Sequence, residues 1–144
     1  VGLRFFTVYG KIGRPDMFIP KIIRNVKKGK PIYLFNSGNH YRDFTYVDDV
    51  SRVIFKITKK ILSSKKINHN VFNVSYGSSI KINILVKQVF KLMNKKVKII
   101  NKKFQLGDMY KTYGDNKKLK KSYNFNNSIN YETGIRKLLK DKDY

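Results

Sequence analysis

The chain contains no cysteine, which removes disulfides and thiolate metal ligation and suits a reducing cytoplasm, the expected compartment. It has 9 acidic residues against 32 basic ones and 2 histidines. His40 and His69 stand far apart, with no acidic cluster at ligand spacing, so no metal site is expected. Nor do the histidines and scattered serines make an arrangement that nominates a nucleophilic triad. No apolar run approaches the roughly 18 residues that span a bilayer, so no membrane partner is expected.

What is abundant is positive charge, a formal net +23 over 144 residues. In isolation such a charge favours nucleic acid or another anionic surface. Its make-up argues against a dedicated face: only 6 of the 32 basic residues are Arg, and the Lys are spread through the chain beside many Asn and Ile. AT-rich coding produces that composition. Nucleic acid is therefore not the expected partner, and a non-enzymatic basic module binding a polyanion is kept as the alternative. The length suffices for one domain.

Apolar spacing predicts alternating strands and helices, an α/β pattern without internal repeats. Residues 2–8 read as a buried strand and 9–13 as the turn after it. Ile19, Ile22, Ile23 and Val26 mark one helix face; Pro20 restricts its start to about 16–20, and Gly29 suits the position past its end. Residues 31–35 read as a strand, 36–39 as a turn and 42–47 as a second strand. Asp48 or Asp49 is expected to cap a helix facing inward through Val50, Val53, Ile54, Ile57 and Ile61 and ending before the polar run 63–70. A strand at 71–74 follows, then a helix capped by Ser78 or Ser79 with a stripe of Ile82, Leu85, Val86, Val89, Phe90 and Met93. Residues 97–100 are expected to be a strand, 104–115 a loop with a short strand, and 117–121 a turn. A last helix gathers Tyr131, Ile135, Leu138 and Leu139.

The stretch from Asn39 to Asp49 places Arg42 at the head of a strand running into a helix. A planar guanidinium there can hold two phosphate oxygens, where Lys is a point charge; the alternative is a surface ion pair with Asp43 or Asp49. Arg14 sits in Gly13-Arg-Pro-Asp16, where Gly permits close backbone approach and Pro stiffens the turn. It is either an anion clamp or a solvated loop residue, while Arg4 is expected to pair within the fold. Tyr33 and Phe35, two apart on one strand, share a face and either flank a planar base or pack the sheet. Phe5 and Phe6 read as core on residue type. Asp108 is a lone acid in a Lys-rich loop.

Several of these runs occur together and in order: Leu3-Arg-Phe-Phe-Thr-Val-Tyr-Gly10, Gly13-Arg-Pro-Asp-Met17, Arg42-Asp-Phe-Thr-Tyr-Val-Asp-Asp49, Phe72-Asn-Val74, Gly107-Asp108 and Thr112-Tyr-Gly-Asp115. The set resembles the C-terminal half of the NAD-dependent epimerase/dehydratase family, the extended short-chain dehydrogenase/reductases, and is most similar to its UDP-glucuronate 4-epimerases. The resemblance implies the C-terminal part of an extended Rossmann-type fold. Residues 1–15 would be a late strand and turn of an incomplete Rossmann domain. Residues 16–144 would be mainly the substrate-binding domain, with segments returning to the sheet.

The same resemblance implies a UDP-sugar substrate, NAD as cofactor and a homodimer. Thr7 would hydrogen-bond the substrate, Arg14 would meet a sugar carboxylate, and Arg42 would contact the diphosphate. Asp108, with Gln105 as neighbour, would accept from the ribose, and Phe5 and Phe6 would pass the nicotinamide. No catalytic residue is expected here. Tyr113 and Lys117 have Tyr-x-x-x-Lys spacing but fall in the Tyr-x-Asp segment, so the working base and the Gly-rich dinucleotide turn would precede Val1. The chain starts without Met inside an apolar strand and is expected to be a piece of a longer protein, inactive without its N-terminal Rossmann half. Glucuronate, galactose and deoxysugar substrates, and epimerisation and dehydration, stay open as alternatives.

Overall fold

The computed structural model describes residues 1–64 and 69–141, so part of the expected polar run 63–70 lies outside the described residues. Strands β1 (Gly2–Phe5) and β2 (Thr7–Tyr9) lead to α1 (Phe18–Lys27), β3 (Ile32–Phe35), β4 (Tyr41–Tyr46) and α2 (Val47–Leu62). Then come β5 (Val71–Val74), β6 (Ser79–Lys81), α3 (Ile82–Met93), β7 (Ile99–Lys102), α4 (Lys117–Tyr123) and α5 (Tyr131–Lys140). Among the described residues three small sheets result: β1 with β5, β3 with β7, and β2-β4-β6. All pairs are parallel except β4 with β6. Among the described residues no helix is long and apolar enough to cross a membrane.

Helix α1 shows why the local pattern succeeds. Ile19, Ile22, Ile23 and Val26 are all buried, each side chain contributing about 1.5–3 kcal/mol, while its Lys side faces water. Pro20 sits in the first turn, where no intrahelical N–H is required. Past the end, Gly29 adopts φ 67 and its N–H closes on the Val26 carbonyl at 3.3 Å, a left-handed stop that favours glycine.

Elsewhere tertiary pairing overrides local expectation. The single strand expected at 2–8 is two: Phe6 donates its N–H to the Val74 carbonyl at 3.1 Å, and from Thr7 onward the chain pairs with Phe44, Thr45 and Tyr46 instead. Neither Asp48 nor Asp49 caps α2. Tyr46 occupies that position without a side-chain cap bond, because β4 runs straight into the helix. Ser78 and Ser79 do not cap α3 either. Ser79 belongs to β6, and the first N–H of α3, on Ile82, is satisfied by the His40 carbonyl at 2.8 Å.

The strand expected at 97–100 is β7, shifted two residues by its register with β3, Ile32 opposite Ile99. The turn expected at 117–121 is α4, held by the 2 % exposed Leu119 and by Lys56 and Lys60, which donate to the carbonyls of Asn124 and Ser122 at its C-terminus. That placement favours cations because the last helical carbonyls lack intrahelical partners.

Two buried clusters form. One joins α1, α3 and α5 to β3, β4 and Tyr9. The other joins Val50, Val53 and Ile57 of α2 to Phe72, Val74, Leu119 and Phe125. Ile54 and Ile61, expected on the inner face of α2, are 42% and 46% exposed, since α2 is covered on one flank only. Met93 is partly buried against the first cluster.

Candidate functional site

Strand β4 organises the site through its two-residue period. Arg42 and Phe44, with His40 just before the strand, line a cavity of about 330 Å³. Asp43 is turned away from it and fully buried, accepting backbone N–H bonds from Tyr76, Gly77 and Gly114 at 3.0, 3.0 and 3.2 Å. Burial pushes the Asp43 carboxyl above its ordinary value, and the N–H donors offset this only in part. Asp49 does the same work at the start of α2, accepting from the N–H groups of Ser128 and Ile129 at 3.2 and 3.1 Å and from Arg52.

Inside the cavity, the Arg42 guanidinium donates to the Tyr41 carbonyl at 2.9 Å and to Asp108 Oδ1 at 2.5 Å. Its partner is therefore Asp108, 66 positions away, rather than Asp43 or Asp49. The other Asp108 oxygen lies 3.6 Å from His40 Nδ1. His40 is 4 % exposed, and its Nε2 is buried without a hydrogen-bond partner among the described residues. Phe104 and Tyr110 pack against its ring.

Local structure explains why Asp108 arrives there. Its N–H bonds the Gln105 carbonyl at 3.1 Å across a turn in which Gly107 takes φ 86, a conformation that favours glycine. The loop is stitched to β4 by Tyr41 N–H to the Tyr110 carbonyl, 2.9 Å, and Thr112 N–H to the Tyr41 carbonyl, 3.0 Å. Thus the strand carrying the cation also anchors the loop carrying the carboxylate.

The aromatic wall comes from β3. Ile32 and Leu34 are buried, while Tyr33 and Phe35 are 48% and 42% exposed on the opposite face, and both line the cavity with Thr7, Lys21 and Asp16. The lining therefore combines exposed rings with a guanidinium beside a carboxylate, which suits a ligand with a planar group, hydroxyls and an anionic group.

Arg14 lines an adjoining open cavity of about 620 Å³ with Phe5 and Phe6, which shares Thr7 and Met17 with the first. Its guanidinium pairs with Asp16 at 2.9 Å and is 73% exposed. Gln105 is exposed and lines neither cavity. Thr7, Tyr33, Phe35, Arg42 and Asp108 are brought together; Arg14, Phe5 and Phe6 form the neighbouring group. Sequence reasoning missed His40 as a site residue, weighing it only as a metal ligand, although its place two residues before Arg42 and four before Phe44 was a readable signal.

The model of the NAD dependent epimerase/dehydratase family matches residues 1–75. A UDP-glucuronate 4-epimerase of Thermodesulfobacterium geofontis is 36% identical over 136 residues, covering 94% of this chain and 40% of that protein. Among solved structures, MoeE5 in complex with UDP-glucuronic acid and NAD aligns with TM-score 0.84 and 31% identity over 92% of this chain and 43% of the other. The UDP-glucuronic acid 4-epimerase from Bacillus cereus, in complex with UDP-glucuronic acid and NAD, aligns with TM-score 0.82 and 29% identity, over 92% and 41% respectively. The chain thus spans about two-fifths of the length of these relatives, and its α/β architecture is that of part of a Rossmann-type epimerase.

Proposed function

Since this chain belongs to the NAD dependent epimerase/dehydratase family, we propose that it is the substrate-binding, C-terminal portion of a nucleotide-sugar epimerase acting on UDP-glucuronate. The observation that carries this reading is the cavity lined together by the Arg42–Asp108 pair, bonded at 2.5 Å, and by the exposed rings of Tyr33 and Phe35. In it Arg42 holds the diphosphate, Asp108 accepts from ribose hydroxyls, and Tyr33 and Phe35 flank the uracil, while Gln105, outside the lining, closes the turn that carries Asp108. Thr7, common to both cavities, reaches the sugar, and Arg14 meets the glucuronate carboxylate.

The residues present fit NAD at one end only. Phe5, 48% exposed, and Phe6 form an aromatic wall suited to a nicotinamide ring. The sequence has no Gly-x-Gly-x-x-Gly run to cradle its pyrophosphate. When bound, NAD supplies hydride acceptance at the sugar C4 and its return to the other face. This chain's share is to bind and orient the sugar.

We therefore expect the isolated 144 residues to bind substrate without turning it over, and to need an N-terminal Rossmann half. The exposed flank of α2, with Ile54, Phe55, Ile61 and Leu62, supports that partner. Residues 1–15 would join its sheet, residues 16–144 would mainly hold substrate, and the assembled enzyme would be a cytoplasmic homodimer.

Calorimetric titration with UDP-glucuronate tests the reading: binding that Arg42→Ala weakens by more than about tenfold supports it. Turnover by the purified chain with added NAD alone would overturn the inactivity. Tight DNA binding with a steep salt slope, indifferent to Arg42→Ala, would favour a basic module instead.

A further inference from the structure

Arg42 is the group of the cavity best built to grip an anion, and it already holds one. Its guanidinium carries Asp108 Oδ1 at 2.5 Å and the Tyr41 carbonyl at 2.9 Å, and the side chain is 18% exposed. An incoming phosphate therefore competes with a carboxylate for the same donors. From this geometry we infer that Asp108 is a specificity-determining residue that guards Arg42, rejecting bare phosphate and pyrophosphate and yielding to anions that carry hydroxyl donors beside the phosphate. The inference rests on the nucleotide-sugar reading of the cavity and concerns how that site excludes its simplest competitors.

The physical reason is a difference in what the displaced carboxylate finds. Bare pyrophosphate takes the guanidinium and leaves Asp108, 34% exposed, unpaired beside new negative charge, which opposes binding. A ligand with adjacent hydroxyls takes the guanidinium and donates to the same carboxylate, so the loss is made good. His40 Nδ1 lies 3.6 Å from the second Asp108 oxygen, beyond hydrogen-bond distance, so it does not replace the guanidinium that the carboxylate loses. Asp16 lines the same cavity and is a natural control, because it pairs with the exposed Arg14 at 2.9 Å rather than with Arg42.

The test is calorimetric titration of the 144-residue chain with inorganic pyrophosphate and with UDP, in wild type, Asp108→Asn, Asp108→Ser, Asp16→Asn and Arg42→Ala, each checked for folding by circular dichroism. Asp108→Asn should tighten pyrophosphate roughly tenfold or more while UDP gains far less or weakens, so the preference for UDP collapses. Asp108→Ser serves if the Asn variant misfolds. Asp16→Asn should move pyrophosphate by less than about threefold. Pyrophosphate affinity unchanged or weaker in both Asp108 variants overturns the inference, as does an equal gain in Asp16→Asn, which would reveal a general charge effect. If wild type does not bind UDP, the nucleotide-sugar reading fails, yet a pyrophosphate gain that vanishes in the Asp108→Asn, Arg42→Ala double variant still upholds the guarding role.

Discussion

Asp43 lies on β4 and Asp108 in the loop bonded to that strand, and what holds each one separates scaffold from site. Asp43 is fully buried and gripped by backbone N–H groups of three residues from two segments. Asp108 stands 34% exposed, held by one side chain and near another. Backbone donors cannot leave without unfolding a segment, whereas a side-chain partner can be traded for a ligand. One carboxylate on β4 and one in the loop anchored to it thus serve opposite ends: fixed geometry for Asp43, exchangeable charge for Asp108.

The sharpest way to break this contrast is Asp43→Ala. It strands three N–H donors, one buried and two part-buried, and should cost about 3 kcal/mol of stability in urea melts; a cost below that of Asp108→Ala would erase the distinction. The less drastic Asp43→Asn probes the charge. Because burial raises the Asp43 carboxyl above its ordinary value of 3.8, the native state holds that proton more tightly than the unfolded chain. The resulting stabilisation is complete below the ordinary value and is lost as pH rises through the raised folded value. Urea melts across that window should therefore fall in wild type relative to Asp43→Asn; parallel curves would dismiss the effect.

Scaffold rigidity around β4 can be probed from a second side. A Cβ added at Gly134 of α5 would lie 2.1 Å from the Tyr9 hydroxyl and 2.8 Å from the Tyr46 ring. Burial raises the Tyr9 phenol pKa far above normal, keeping it neutral, and its hydroxyl donates to the Tyr131 carbonyl at 3.3 Å. Gly134→Ala should lose about 2 kcal/mol by overpacking, despite the better helix propensity of Ala, as read from thermal melts.

On the site side, Arg42→Ala should weaken UDP-glucuronate by about 1.5–2 kcal/mol, roughly 13- to 30-fold, while changing stability by less than about 1 kcal/mol. A large stability loss without a binding loss would move Arg42 into the scaffold class. The smallest effect belongs to the exposed Arg14–Asp16 pair: Asp16→Ala should change the urea midpoint by less than about 0.5 kcal/mol equivalent.

How far the sequence reached can be traced through individual residues. Ile19, Ile22, Ile23 and Val26, and likewise Leu85, Val86, Val89 and Phe90, were legible as helix faces because burial follows a period of a few residues. Tyr33 and Phe35 were legible as one face of a strand for the same reason. Helix α4 was not, since Lys-rich 117–121 has one apolar anchor, Leu119, whose partners come from α2 and β5. The hand-over at Phe6 escaped because it depends on which strand lies alongside.

The amino-acid order by itself determined the α/β alternation, the inward faces of α1 and α3, and the motifs that mark the family, all of which are local in the chain. Only tertiary structure decided that Arg42 meets Asp108, that His40 lies beneath them, and that Arg14 falls in the adjoining cavity. The Arg42–Asp108 pairing joins residues 66 positions apart through loop anchoring on β4, and no local periodicity carries that information.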